Sequence, residues 1–143
     1  MTHCKRGLVA GILFLAVVLT PVAAVSGPFE GGQEAFKSGD YETALSLWRP
    51  LADQGFANAL QNLGIMYAWG TGVPQDYVQA HMWFNLAVSR SRPGERTYDT
   101  AAELRYAFAD LMTPAQIAEA QKLARQWWKR RKREWRPLGE QAE

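Results

Sequence analysis

Apolar positions recur at helical spacing through most of the chain. In Asp40-Tyr41-x-x-Ala44-x-x-Leu47-Trp48 the apolar residues fall at i, i+3 and i+6/i+7, one stripe of a 3.6-residue period. The same order returns 36 residues later as Asp76-Tyr77-x-x-Ala80-x-x-Trp83-Phe84. Each Asp is placed to cap a helix, its carboxylate accepting a backbone N–H of the first turn. Leu60, Leu63, Gly64 and Tyr67 form another stripe upstream of the second copy, and Phe36 and Gly39 match Tyr67 and Gly70. Each unit therefore reads as two antiparallel helices, with a small Ala or Gly admitting a large ring from the neighbouring helix. One helix pair cannot bury its apolar face alone, so such units stack. Gly70-Thr71-Gly72-Val73-Pro74-Gln75 is the turn inside the second unit. The first unit turns on Gly39 alone, five residues shorter. Pro50 falls inside the helix that begins near Tyr41 and is expected to kink or end it.

The residues Ala59-x-x-x-Leu63-Gly64-x-Met66-Tyr67-x-x-Gly70-x-Gly72-Val73-x-x-Asp76-Tyr77-x-x-Ala80-x-x-Trp83-x-x-x-Ala87 closely resemble a Sel-1-like repeat, a relative of the tetratricopeptide repeat. The segment from Gly39 to Gly55 resembles the shortened repeat that opens exported bacterial members, although it lacks Gly-x-Gly-Val. The resemblance covers a region of residues 30–90, with a short repeat at 33–55 and a full one at 56–90. It implies an all-α fold, a short solenoid of antiparallel helix pairs used for protein–protein contact, and it implies no catalysis.

Beyond a loop at Arg90-Ser91-Arg92-Pro93-Gly94-Glu95, residues Tyr98 to Met112 read as a helix with Ala101, Leu104, Phe108 and Leu111/Met112 on one face. Thr113-Pro114-Ala115-Gln116 is a strong helix start, with Thr at N-cap, Pro at N1 and Gln at N3 completing a capping box. Ile117, Ala120, Leu123/Ala124 and Trp127/Trp128 continue a stripe. Residues 97–128 read as a C-terminal helical cap. After Trp128 the run Lys129-Arg130-Arg131-Lys132-Arg133 places charge on every face, which opposes continued burial. Residues 129–143 are expected to be a helical extension fraying into a tail.

The first 26 residues read as an address. Lys5 and Arg6 precede an apolar run from Gly7 to Leu19, 13 residues long, short of the about 20 that span a bilayer. Small residues follow Pro21, so residues 1–24 form a signal peptide with cleavage after Ala24 or Ser26. The alternative is an uncleaved anchor, against which the shortness of the run argues. The protein is expected to be exported, to a periplasm or beyond. The chain's net charge of +2 and its single cysteine, Cys4, both belong to this segment. Without Lys5 and Arg6, 14 basic residues face 14 acidic ones. That balance conceals a division: residues 122–136 carry +7, and the remainder beyond residue 26 carries −7.

Catalytic chemistry has few residues to work with. After residue 26 His81 is the single histidine and there is no cysteine, so metal sites and Ser–His–Asp arrangements lack partners. The acids carry no paired motif, which leaves a carboxylate-based hydrolase as a third reading. No cofactor, metal or enzymatic activity is expected. His81 is expected on a helix surface or groove. Trp69, two residues after Tyr67, points off the packed stripe and is a candidate partner contact. The basic segment, with Lys129, Arg130, Arg131, Lys132 and Arg133 beside Trp127, Trp128 and Trp135, suits an anionic membrane surface or acidic partner across residues 129–136. Export argues against nucleic acid. The leading expectation is a module of the bacterial cell envelope that binds a protein or peptide, with homo-oligomers as one way to lengthen so short a stack.

Overall fold

The computed structural model describes residues 26–134, and these form six α-helices without a strand among them. They are α1 (Pro28–Lys37), α2 (Tyr41–Asp53), α3 (Ala57–Trp69), α4 (Tyr77–Arg90), α5 (Arg96–Ala109) and α6 (Pro114–Glu134). The helix starts follow the local chemistry. Asp40 accepts the Thr43 N–H at 3.1 Å and Asp76 accepts the Gln79 N–H at 3.0 Å. At α6 the capping box closes in both directions, Thr113 N–H to Gln116 Oε1 at 2.8 Å and Gln116 N–H to Thr113 Oγ1 at 3.2 Å. Gly70 ends α3 at φ 68°, the left-handed conformation that costs glycine no Cβ clash.

α1 pairs with α2 and α3 with α4, and α2 packs on α3 to join the pairs. Small residues set how close each pair comes. A Cβ on Gly32 would stand 2.3 Å from Trp48 Nε1, and one on Gly64 would stand 2.5 Å from a Phe84 ring carbon. The absence of a side chain in α1 and α3 therefore admits a large ring from α2 and α4. Trp48 also donates its Nε1–H to the Phe29 carbonyl at 3.2 Å, fixing the start of α1, which lies upstream of the predicted repeat region.

The C-terminal helices depart from a simple continuation of the stack. α5 packs on α4 and touches α3, as the first helix of a third unit would. α6 also packs on α4, and makes little contact with α5. α4 is thus enclosed by α3, α5 and α6. This explains why Ala80, His81, Met82, Trp83, Phe84, Leu86 and Ala87 are all buried rather than confined to one stripe.

Two local expectations need correction. α2 continues past Pro50 to Asp53, because a proline one turn from a helix end removes a single backbone bond and its ring faces solvent. α5 runs from Arg96 and ends at Ala109, so Leu111 leaves the apolar face and is 62% exposed. α6 continues as the expected helical extension through the basic run to Glu134, although Arg131 within that run is half-buried rather than fully solvated.

Candidate functional site

α6 packs on α4 and leaves an open cleft between itself and the α2–α4 face. From α2 come Arg49 and Asp53, from α4 Gln79, Met82 and Trp83, and from α6 Leu123, Trp127, Arg130 and Arg131. The cleft encloses about 390 Å3. Its wall residues follow from helix geometry, since Gln79/Trp83, Arg49/Asp53 and Leu123/Trp127/Arg131 are i, i+4 neighbours on one face. A second, larger recess of about 660 Å3 shares Asp53, Trp127 and Arg131 with the first and opens toward Gly55, Arg90, Trp128 and Lys132. Among the described residues, Asp53 is the one carboxylate in either recess.

Arginines stacked on indoles organise both spaces. Arg49 lies over Trp83, Arg131 over Trp127 and Arg90 over Trp128, each guanidinium carbon 5.5 Å from a ring centre. Arg131 also pairs with Asp53 at 3.0 Å, tying α6 to the end of α2. Both partners remain more than a third exposed, so this pair contributes at most about 1 kcal/mol. The grip on α6 is mainly apolar, through Trp127, Ala120 and Ala124. Arg90 donates its Nε–H to the Gly55 carbonyl at 3.0 Å and so steadies the α2–α3 turn. Trp83 is 3% exposed, and its Nε1–H finds no acceptor.

The predicted site residues separate into distinct places. Trp69 is 55% exposed and meets Phe108 edge-on at 5.1 Å, on the α3–α5 side and outside the cleft. His81 is corrected from surface to interior: α4 is covered on more sides than its stripe implies, and the residue is 4% exposed. Trp127 is likewise buried and Trp128 half-buried, because both pack under α6, so neither ring is free to anchor on an external surface. Arg131 is paired and stacked, whereas Lys129, Arg130, Lys132 and Arg133 are exposed. Trp135 and residue 136 lie outside the described residues. Sequence reasoning missed Arg49, Asp53, Gln79 and Arg90; their i, i+4 spacing was visible, but nothing local indicated that α6 would face them.

Buried His81 ends a partly buried polar relay. Arg105 donates to Asn85 Oδ1 at 2.9 Å, which turns the Asn85 amide nitrogen toward His81 Nδ1 at 3.2 Å. The neutral ring accepts this bond; a protonated ring would oppose donor to donor. Burial and then the nearby Arg105 charge push the His81 pKa below the ordinary 6.5. The unfolded chain therefore takes up a proton before the folded one does, and stability falls as pH drops below about 6.5. Urea unfolding at pH 7.5 and 5.5 checks this: His81→Gln should lose less stability across that interval than the parent. Equal losses would remove the histidine from the account.

Among the described residues, no three of His, Cys, Asp and Glu gather as a metal-holding group, and no helix is long and apolar enough to cross a membrane. A 49-residue segment is 39% identical to DAP3-binding cell death enhancer 1 of Rattus norvegicus and of Mus musculus. It covers 34% of this chain and spans only 10% of the length of those relatives. No solved structure matches the chain. The Sel1 repeat family matches residues 29–56 and 57–91, the segments that form the α1–α2 and α3–α4 pairs. Residues 29–91 of this chain are therefore two successive Sel1 repeats, a helical-repeat type that indicates a protein-interaction module.

Proposed function

We propose that this protein is a binding module of the bacterial cell envelope, holding a protein or peptide on the face where α6 lies across the repeats. The observation that carries the reading is the open cleft itself, built by two Sel1 repeats and walled by α6. It combines an apolar floor with fixed cations, the composition of a recognition surface. The single carboxylate found there among the described residues is engaged by Arg131, which favours binding over acid–base chemistry. The mammalian relatives are named for binding another protein, which supports the same class of role, though not the same partner. An envelope location is supported by the order of charged, apolar and small residues in the first 26 positions.

A second reading draws on the exposed Lys129, Arg130, Lys132 and Arg133, which would lie against an anionic membrane surface or envelope polymer. One experiment separates the two. A photo-crosslinker at Gln79, in the cleft wall, should capture a discrete protein in cells, while one at Glu42, on exposed α2, should not. Equal capture from both positions removes the cleft as the binding face. Sedimentation with anionic vesicles that is lost on converting the four exposed cations to Gln, without any Gln79 capture, establishes the second reading in its place.

A further inference from the structure

We infer that the cleft between α2, α4 and α6 receives a side-chain carboxylate of an acidic peptide; this rests on the protein-binding reading proposed above. Three arginines line it against one aspartate, and that aspartate is already paired to Arg131 at 3.0 Å. Arg49 and Arg130 have no carboxylate partner among the described residues. The cation–π contact with Trp83 keeps the Arg49 guanidinium at the cleft wall, and a guanidinium can give a carboxylate paired, bidentate N–H bonds.

The indole of Trp83 supplies an independent indication. It borders the cleft, is 3% exposed, and its Nε1–H lacks an acceptor. Nε1 is itself enclosed and does not touch a ligand directly, but an unsatisfied buried donor beside two cations adds to the positive potential of the cleft wall. Beside the cations, Met82, Leu123 and Trp127 present apolar surface that suits the residue next to the carboxylate. About 390 Å3 accommodates a short stretch of side chains rather than a folded domain. The ligand class is therefore an acidic side chain flanked by an apolar one.

Calorimetry on the full chain tests this with a capped hexapeptide that alternates Glu and Leu, its Gln and Leu counterpart, and inorganic phosphate. The Glu peptide should bind at least about tenfold more tightly than the Gln peptide, since charge-assisted bonds are the stronger kind. Arg49→Gln and Arg130→Gln should each weaken it about tenfold, while Arg92→Gln, in the α4–α5 loop, should leave it unchanged. Circular dichroism confirms that each variant is folded. Equal affinity for the two peptides overturns the inference, as does indifference to Arg49→Gln and Arg130→Gln, or an equal loss in Arg92→Gln. Binding of phosphate without the Glu peptide overturns it too. A chain that still crosslinks its partner through Gln79 but ignores the Glu peptide keeps the protein-binding reading and loses only this one.

Discussion

Replacing Phe84 by Ala should destabilise the protein by about 3–5 kcal/mol, the range for removing a large buried ring. Phe84 is fully buried, packed where Gly64 of α3 has no side chain, and stacked at 6.1 Å on Phe108 of α5. With glycine on the opposing helix, nothing can reach across to fill the space, so relaxation is limited. Domains of this size are held by about 5–15 kcal/mol, and most of the reserve would be gone. Urea unfolding followed by circular dichroism measures the effect. Leu111→Ala, at a side chain 62% exposed, should change stability by less than about 0.5 kcal/mol. A loss under 1 kcal/mol for Phe84→Ala would contradict the α3–α4–α5 packing described above.

The second large effect concerns α6. Trp127→Ala should cost about 3–5 kcal/mol, because the ring is 6% exposed and joins α6 to the body. Arg131→Gln breaks the ion pair to Asp53 and should cost no more than about 1 kcal/mol, as expected for a partly solvated pair. Hydrogen exchange adds the local view: the α6 amides should lose protection in Trp127→Ala and largely retain it in Arg131→Gln. The reverse ranking would mean that charge, not burial, fastens the helix. The distinction matters for function, because α6 forms one wall of the cleft, and a detached α6 abolishes the site whatever its arginines do.

Helical pairing was readable from local signals. Asp40, Asp76 and Thr113 cap helices within three residues of themselves, and Gly70 stops one where it stands. The Gly64–Phe84 approach was also foreseeable, because a small residue on one helix and an aromatic on its partner recur with the repeat. Pro50 misled because its effect depends on how far the helix has still to run, which proline alone does not state. His81 misled for a different reason. An α4 stripe read by period leaves one face for solvent, and that face was taken up by helices from outside the repeats.

Local signals in the chain were enough for the helical pairs, their caps and turns, the division between an acidic body and a basic segment, and the recognition of a repeat. These depend on contacts within a few residues or on a spacing that repeats. Packing at a distance was needed to set α6 on α4 instead of pairing it with α5, and to bring Trp127, Arg130 and Arg131 opposite Arg49, Asp53 and Trp83. That choice is made mainly by apolar shape between residues far apart in the chain, with the Arg131–Asp53 pair a minor addition. Burial is non-directional, so the stripe on α6 specifies that it must be covered, whereas the groove that covers it exists only after α2 and α4 have packed.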